Sequence, residues 1–417
     1  MNILQLALDL TLGGTEKTLQ IFSKYLKKQN RKVIVVAFNA SGPRKDFIEN
    51  NGIKVYLMNN SFEKLKRLIQ KEKIDIVHLH RSNDNMIPII KYLKENTLVK
   101  IVETNVFGKN SESYVEDYVD LRVFVSMFCA MRFIKQKKLN IDTFWEKNRV
   151  LYNPLDFDEI FLWDRKKISS FKNKIGIPKD YFVIGKYGRK DNLKFGDICI
   201  EMLPYLIDKI SNIKYVIIGL PNNLRKKAKK LGVYEYIIEI KPILNPKKLS
   251  LFISSMDILA HSSLIGESFG CVYTEAMAHK KPIVTNSTPY ADNAQLEMVK
   301  DRINGRIANS PKDFAKAIEK LLKSKREHLR ISKNNFKKAK ECFDGNMLTK
   351  DLYKFYEEVL FDATYDDYLI NKKNLAGFIK KKHKDLDNFK ISSTYYNTKY
   401  FLFKKLEGLK RKIRNFL

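Results

Sequence analysis

Cysteine is scarce in this sequence, and its spacing excludes the usual sulfur-based metal sites. The four cysteines are scattered over 417 residues, at Cys129, Cys199, Cys271 and Cys342, and no two of them form a C-x-x-C pair. Structural zinc sites built on cysteine normally use such closely spaced pairs. The sequence therefore predicts a reduced, cytoplasmic chain without structural zinc.

Long apolar runs are also absent. A membrane-spanning helix needs roughly 18 consecutive apolar residues, and the nearest run, 123–131, is bracketed by Arg122 and Arg132. The first ten residues contain Asp9 and no basic segment, so no signal peptide is expected. No internal repeat is evident.

Acidic residues are too few to balance the basic ones. The chain has 47 acidic and 78 basic residues, which gives a formal net charge of +31. Such an excess indicates an anionic partner, and the candidates are nucleic acid, an acidic membrane surface or an acidic polymer. A hydrophobic content of 44% over this length predicts two or three domains with sizeable cores.

The first third of the chain alternates apolar strands with helical segments. Strands are predicted at 2–8, 32–38, 53–58, 74–80 and 99–103, and this alternation indicates a parallel, doubly wound sheet. Ligands of such sheets bind beyond the carboxyl ends of the strands, where His80, Arg81 and Asn83 lie. His78 is interpreted as a buried core residue. A third ligand for a metal beside the two histidines is missing, so no metal site is predicted.

A glycine pair connects the first strand to the first helix. Gly13 and Gly14 lie in a predicted turn at 12–16 that leads into a helix near 17–28, and the unpaired backbone N–H groups at the helix start suit an anion. The full G-x-G-x-x-G fingerprint is missing, so a dinucleotide-binding fold is disfavoured. A tight strand-to-helix connection explains the pair equally well.

A second strand–glycine–helix unit lies at 256–286. A strand at 257–260 is followed by a turn containing Gly266 and Gly270, a helix to about residue 279 and another apolar strand. The helix start suits a phosphate. Glu267 and Glu275, with seven residues between them, flank that start and can accept hydrogen bonds from hydroxyl groups. Two solvated charges remain the alternative.

The stretch HSSLIGESFGCVYTEAMAHKKPIV closely resembles the E-x7-E donor motif of retaining GT-B glycosyltransferases, in particular family 4 (group 1). The resemblance implies that Glu267 contacts the donor sugar and that Glu275 contacts the nucleotide ribose. The same resemblance implies that the backbone of Ser268, Phe269 and Gly270 holds the diphosphate.

Other segments resemble the same family. Arg189 and Lys194 match the basic pair that holds the donor diphosphate, and fixed cations stabilise the negative charge of a leaving nucleoside diphosphate. The Gly13–Gly14 pair matches the family's GGxE loop. Many relatives carry a T-x-H histidine beside the donor sugar, where Asn105 is the nearest polar residue here. Roles that depend on that histidine are therefore not carried over.

The resemblance implies a GT-B α/β architecture of two Rossmann-like, doubly wound domains with a central cleft. The segment 150–160 resembles the family's interdomain linker. The predicted parts are an acceptor-side domain at 1–152, a nucleotide-sugar domain at 153–340, a helix returning to the first domain at 341–360, and a basic amphipathic extension at 361–417.

That extension ends in a predicted basic amphipathic helix. Five apolar residues repeat at helical spacing among six basic ones: Leu402, Leu406, Leu409, Ile413 and Leu417, with Lys404, Lys405, Lys410, Arg411, Lys412 and Arg414. Such a helix can lie on an anionic membrane. Packing on its own domain or on a partner is the equal alternative. The expected location is cytoplasmic, peripheral to the inner face of the membrane.

The implied activity is a retaining, metal-independent glycosyltransferase without a cofactor. It would move a sugar from a UDP- or GDP-linked donor to a glycan or lipid-linked glycan, in cell-surface polysaccharide or glycoconjugate synthesis. His80, Arg81 and Asn105 are candidate acceptor- or sugar-side residues.

A non-catalytic nucleotide-sugar-binding or scaffold protein of a membrane-associated assembly complex is the alternative function, and a phosphorylase or epimerase is a distant alternative. No nucleic-acid partner is expected, because the basic residues are spread out and form no recognition motif.

Overall fold

The computed structural model describes residues 1–81, 84–108, 117–188, 190, 193–391 and 405, with only the backbone described for 382–391. The chain forms two compact units. The first contains Met1–Asp156 and Cys342–Lys380, and the second contains Phe157–Glu341. The predicted amphipathic helix at 402–417 lies outside the described residues, apart from Lys405.

The first unit is built on a seven-stranded parallel sheet in the order β3-β2-β1-β4-β5-β6-β7. Its strands are β1 (Asn2–Asp9), β2 (Lys32–Ala40), β3 (Val55–Leu57), β4 (Ile76–Arg81), β5 (Lys100–Asn105), β6 (Leu121–Phe124) and β7 (Asn148–Val150). In the centre, Leu4 pairs with Ile34 on one side and with Val77 on the other. These apolar strands are buried on both faces, as expected when helices cover a parallel sheet.

Helices cover both faces of this sheet. They are Gly14–Lys28, Arg44–Glu49, Phe62–Glu72, Ile87–Asn96, Met127–Lys137, Ile141–Lys147 and Gly345–Phe361, and the helix Lys372–Ile391 begins in this unit. The apolar run 123–131 is divided between β6 and the helix Met127–Lys137. Ser126 caps that helix by accepting a hydrogen bond from the Cys129 N–H at 3.1 Å. Within the described residues, no helix is both long and apolar enough to span a bilayer.

The second unit repeats the plan with six parallel strands in the order β10-β9-β8-β11-β12-β13. They are β8 (Phe182–Lys186), β9 (Ile213–Ile218), β10 (Ile237–Ile240), β11 (Ile258–His261), β12 (Ile283–Thr285) and β13 (Arg306–Ile307). The chain runs outward from β8 through β9 to β10 and then returns to β11 on the other side. The boundary between β8 and β11 is therefore the topological switch point, where ligands of open parallel sheets bind.

Nine helices are described in this unit: Arg165–Lys174, Ile198–Glu201, Leu203–Ile207, Asn222–Lys230, Pro246–Ser255, Cys271–Ala278, Gln295–Met298, Pro311–Lys323 and Lys325–Phe343. Their apolar sides pack on the sheet around a core that includes Ile184, Tyr215, Phe314 and Leu321. The prediction of two doubly wound α/β domains is confirmed by the two sheets.

The two segments that link the units pair with each other within the first unit. The Leu155 N–H donates to the Phe343 carbonyl at 2.7 Å, and the Gly345 N–H donates to the Leu155 carbonyl at 2.9 Å. Beside them, the Lys24 ammonium donates to Asp156 at 2.5 Å. Asp156, which lies in the predicted linker segment 150–160, is therefore held by a buried ion pair.

Candidate functional site

The switch point of the second sheet carries two ionisable residues at the ends of neighbouring strands. Lys186 is the last residue of β8, and His261 is the last residue of β11. These strands pair directly, with Ile258 opposite Ile184 and Leu259 opposite Gly185. Lys186 is 0% exposed and His261 is 4% exposed. The strand pairing thus places a lysine and a histidine side by side at the ligand-binding edge.

The loop after β11 brings Glu267 to these residues. One carboxylate oxygen, Oε1, lies 3.2 Å from His261 Nε2, and the other, Oε2, accepts a hydrogen bond from Lys194 Nζ at 2.8 Å. Lys194 also donates to the Gly266 carbonyl at 2.9 Å. The structure therefore joins Glu267 and Lys194, which the sequence predicted separately, into one ion pair.

The charged groups of this cluster shift one another's pKa values. Burial alone would raise the pKa of Glu267, but the Lys194 charge and the hydrogen bond from His261 lower that pKa to about 2. Burial lowers the pKa of His261 to about 4, and the nearby Lys186 charge acts in the same direction. At neutral pH, Glu267 is an anion and His261 is a neutral imidazole.

Two glycines shape the loop around Glu267. Gly266 has φ +67°, and a Cβ there would lie 1.5 Å from the Asp292 carbonyl oxygen. Gly270 has φ +90° and caps the helix Cys271–Ala278. Only glycine adopts both conformations without strain. The loop is also braced by Gln295, whose Oε1 accepts a hydrogen bond from the Glu267 N–H at 3.1 Å.

The remaining predicted donor residues lie around the start of this helix. Ser268 and Phe269 are buried in the loop, and Glu275 lies within the helix and is 8% exposed. Burial raises the pKa of Tyr187 well above 10, and the Glu275 carboxylate raises it further. Tyr187 donates to the Val272 carbonyl at 3.1 Å. Glu275 and the end of β8 are therefore neighbours, and the ribose-binding role of Glu275 stays a prediction.

Arg189, the other predicted diphosphate ligand, lies outside the described residues. The loop that should carry it follows β8 directly, between Lys186 and Lys194. Its role stays a prediction.

The glycine pair of the first unit lies at the start of the helix Gly14–Lys28, which begins three residues before the predicted start near Lys17. A Cβ on Gly13 would lie 2.2 Å from a carboxylate oxygen of Glu16, so a larger residue there would require the Glu16 side chain to move. The Gly13 carbonyl accepts hydrogen bonds from the Lys17 N–H at 3.1 Å and from Arg44 at 3.4 Å. The diphosphate role of Gly13 and Gly14 stays a prediction.

The candidate sugar-side residues lie at the carboxyl ends of β4 and β5. His80 Nε2 lies 2.6 Å from the Gln5 side-chain oxygen, and Arg81 donates to the buried Glu103 at 2.5 Å. The Asn105 side-chain oxygen accepts a hydrogen bond from the Gly108 N–H at 2.9 Å. All three side chains are at most 5% exposed. These contacts give each residue a structural role, and the acceptor-side role stays a prediction.

Lys186, His261 and Gln295 were not predicted from the sequence. Lys186 and His261 each end an otherwise apolar strand, and an ionisable residue at such a position is the signal that identifies them. Gln295 comes 28 residues after Glu267, and no local pattern connects the two. Among the described residues, no group of three or more His, Cys, Asp or Glu side chains is arranged to hold a metal ion.

Comparison with known proteins places this geometry in context. Residues 167–338 match the family model of glycosyl transferases group 1. HepE of Anabaena, crystallised with UDP and glucose, superposes with a TM-score of 0.73 at 19% identity, over 86% of this chain and 100% of that one. A glycosyltransferase from Rickettsia africae superposes with a TM-score of 0.72 at 18% identity, over 87% and 99%.

The protein has a GT-B fold. WaaG, a glycosyltransferase of lipopolysaccharide biosynthesis, shares this fold with a TM-score of 0.61 at 14% identity, over 86% of this chain and 100% of that one. In sequence, spore coat protein SA of Bacillus subtilis is 21% identical over 307 residues, which cover 70% of this chain and 80% of that protein. The family match, which lies on the unit that contains Glu267, and the shared GT-B fold together support a glycosyltransferase.

Proposed function

We propose that this GT-B protein is a retaining, metal-independent glycosyltransferase that moves a sugar from a UDP-linked donor to a glycan or lipid-linked glycan. The observation that carries the proposal is the position of Glu267, whose carboxylate contacts Lys194 and His261. It lies at the switch point of the second sheet, on a loop bounded by two glycines of positive φ, immediately before a helix. Glu267 and Glu275 keep the E-x7-E spacing around that helix start.

Glu267 orients the donor sugar in this proposal. Its two oxygens each have one donor within the described residues, from Lys194 and from His261. A carboxylate has about four lone-pair sites, so capacity remains for hydrogen bonds from sugar hydroxyl groups. Its low pKa keeps it an acceptor at every physiological pH.

Lys194 and Arg189 stabilise the leaving diphosphate in this proposal. Two of the three Lys194 N–H groups have acceptors among the described residues, Gly266 and Glu267. The third is available to a phosphate oxygen, on which negative charge builds as the bond to the sugar breaks. In other enzymes, the loss of one such preorganised donor costs roughly 3–4 kcal/mol. These fixed cations take the place of a divalent metal ion.

The proposed reaction retains the configuration at the anomeric carbon. The bond between that carbon and the diphosphate oxygen breaks, and the acceptor hydroxyl oxygen forms its bond on the same face of the sugar. The hydroxyl proton passes to an oxygen of the departing diphosphate, and the products are UDP and the lengthened glycan. No carboxylate base is required, which agrees with a site whose carboxylate is already bound by two donors.

Relatives of the same fold guide the choice of nucleotide and acceptor. HepE was crystallised with UDP and glucose, and a pneumococcal O-GlcNAc transferase was crystallised with UDP and GlcNAc. These complexes favour UDP over GDP as the nucleotide. The lipopolysaccharide role of WaaG favours an acceptor of the cell surface. We place the enzyme at the inner face of the membrane, peripherally bound through its basic C-terminal extension.

The test combines nucleotide binding with transfer. Thermal unfolding is measured with UDP, GDP, ADP and their common sugar conjugates, and the conjugate that stabilises most is used for transfer assays with and without EDTA. A ligand at 100 times its Kd stabilises by about 2.7 kcal/mol, which is readily detected. The anomeric configuration of the product is determined by NMR.

We expect Glu267→Gln to lose transfer by about 10²- to 10³-fold while UDP still stabilises it. Glu239→Gln, which alters a carboxylate bound to Arg225 two strands from β8, is the matched control and should transfer normally. Normal transfer by Glu267→Gln would contradict the proposal. A wild-type protein that binds UDP-sugars but transfers nothing, even to water, would favour the non-catalytic alternative.

A further inference from the structure

Lys186 is a buried lysine whose function the proposed reaction does not explain. Its side chain is 0% exposed, and burial lowers its pKa. Its ammonium donates to the Ser262 carbonyl at 2.8 Å and lies 4.4 Å from the centre of the Phe195 ring. An apolar side chain would fill this space without the desolvation cost of a charge. A further polar contact, beyond the one with the Ser262 carbonyl, must therefore account for the lysine at this position.

That contact is with His261. Lys186 Nζ lies 3.3 Å from His261 Nδ1. An ammonium group has only donors, so Nδ1 must be the acceptor and cannot carry the proton. A neutral imidazole with a bare Nδ1 carries its proton on Nε2. The Nε2–H then points at Glu267 Oε1, 3.2 Å away.

We propose that Lys186 and His261 are positioning residues for Glu267. Lys186 holds His261 in the Nε2–H tautomer, and His261 uses that proton to fix one oxygen of the carboxylate while Lys194 fixes the other. The ends of β8 and β11 thereby lock the rotation of the Glu267 carboxylate. The catalytic consequence rests on the proposed function of Glu267, whereas the tautomer itself does not.

The alternative tautomer explains the contacts less well. With the proton on Nδ1, that N–H would face the Lys186 ammonium, and the bare Nε2 would face a carboxylate oxygen. Two donors would then face each other at Lys186, and two acceptors would face each other at Glu267. The buried lysine is thus the group that selects the useful tautomer. In serine proteases, a buried aspartate holds the catalytic histidine in one tautomer. Lys186 has the corresponding effect on His261, but through a positive charge.

The first experiment determines the tautomer by NMR of protein labelled with ¹⁵N in its histidine rings. The chain has six histidines, and His261→Phe assigns the signal of His261 by its disappearance. We expect a protonated Nε2 and a bare Nδ1 in the wild type at pH 7. We expect Lys186→Met to lose this preference. Lys281→Met, which alters a partly buried lysine that donates to the Ser254 carbonyl, is the matched control and should leave the signal unchanged.

A protonated Nδ1 in the wild type, or an unchanged tautomer in Lys186→Met, would overturn the proposal. This measurement needs no substrate, so its result is independent of the proposed function. A tautomer shift in a protein that transfers no sugar would support the positioning pair and contradict the glycosyltransferase.

The second experiment compares transfer kinetics. We expect kcat to fall by between about 10- and 100-fold in Lys186→Met and His261→Phe, because a small misplacement of a catalytic group has effects of this size. The donor KM should change far less, since the diphosphate contacts remain. His261→Gln should recover part of kcat, because the glutamine amide can donate near the Nε2 position. Wild-type kcat in His261→Phe would refute the catalytic consequence.

Discussion

Two buried histidines on β4 are held neutral by their surroundings in the first unit. The rings of His78 and His80 stack with centroids 4.5 Å apart. Burial lowers the pKa of His80 to about 3, and burial together with the neighbouring His80 lowers the pKa of His78 well below 6.5. Both residues are almost completely buried, since His78 is 0% exposed and His80 is 2% exposed. Protonation of either ring would place an uncompensated charge in the core.

This neutrality predicts an acid-sensitive first unit. The folded pKa of His80 lies below its unfolded value of 6.5, so the unfolded chain binds a proton between these pH values that the folded chain does not. The stabilising contribution is complete above pH 6.5 and is lost as the pH falls toward about 3. Between pH 7 and pH 5, His80 alone should account for a loss of about 2 kcal/mol.

The measurement uses the two tryptophans, one in each unit. In a Trp163→Phe background, Trp145 reports only on the first unit, and urea unfolding is followed by its fluorescence at pH 7 and pH 5. We expect His80→Gln to reduce the pH-dependent loss, since glutamine can still donate to Gln5 but does not titrate. The free energy of unfolding of each protein is compared at the two pH values, so any effect of the substitution that does not depend on pH cancels. An equal loss with and without His80 would contradict the assigned pKa.

Individual site residues could be predicted only where a local motif carried them. The loop with Lys194 and the loop with Glu267 each have their own motif, but the ion pair between them joins positions 73 residues apart. Lys186 belongs to no motif, and His261 is the first residue of the stretch 261–284, whose motif gives roles to Glu267 and Glu275 but none to His261. Their partnership exists because β8 and β11 are neighbours, and strand order is a property of the whole sheet.

At the scale of elements, the helix Gly345–Phe361 is bonded to the centre of the first sheet by one hydroxyl group. The Tyr356 hydroxyl accepts a hydrogen bond from the Gln5 amide at 2.9 Å and lies 2.7 Å from His78 Nδ1. The other ring nitrogen of His78 lies 2.8 Å from the Thr104 hydroxyl. The polar network thus joins β1, β4, β5 and the returning helix inside an apolar core.

Tyr356→Phe should destabilise the first unit by about 1–3 kcal/mol, because it leaves buried polar groups of Gln5 and His78 without a partner. Tyr353→Phe is the matched control on the same helix. Its hydroxyl accepts a hydrogen bond from Arg31 at an exposed position, so its removal should cost no more than about 0.5 kcal/mol. Urea unfolding followed by Trp145 compares the two. Equal losses in the free energy of unfolding of the two variants would show that the buried network adds no stability.

Elements with a simple apolar pattern were predicted well, whereas one long charged helix was missed. The strand predicted at 2–8 is Asn2–Asp9, and the strand predicted at 32–38 is Lys32–Ala40. The helix Lys325–Phe343 was not predicted. Its buried side includes Ser332 and Asn335 beside apolar residues, so the periodic apolar signal is weak. The Asn335 amide donates to the Lys281 carbonyl at 2.7 Å, a distant contact that no local pattern indicates.

At the scale of the whole molecule, the net charge of +31 exceeds what a nucleotide-sugar site requires. A donor diphosphate needs only a few cations, and the proposed site uses Lys194 and Arg189. Part of the remaining basic charge lies where the GT-B resemblance ends, since the last 16 residues contain six basic residues and only one acidic residue. A lipid-linked acceptor would itself lie in an anionic surface. The C-terminal basic residues and the proposed lipid-linked acceptor therefore lead to the same prediction, that this segment binds an anionic membrane.

Six substitutions test this last step: Lys404, Lys405, Lys410, Arg411, Lys412 and Arg414, each to Gln. Each basic residue near an anionic surface contributes about 1 kcal/mol, so binding to phosphatidylglycerol-containing vesicles should weaken by about 10⁴-fold at low salt. The control replaces six exposed lysines of the second unit, Lys226, Lys229, Lys230, Lys312, Lys316 and Lys333, by Gln. Cosedimentation measures both variants, with pure phosphatidylcholine vesicles as the uncharged reference.

Comparison of the two variants distinguishes binding by the C-terminal segment from a general attraction of the basic protein to anionic vesicles. Both variants lose the same net charge, so a general attraction to anions would weaken equally in both and would contradict a membrane-binding C-terminal segment. A loss confined to the C-terminal variant would locate the contact. Salt provides the second criterion, because exposed charges are screened beyond about 8 Å at physiological ionic strength. Binding that survives such salt requires the apolar side of the segment, Leu402, Leu406, Leu409, Ile413 and Leu417, to enter the bilayer surface.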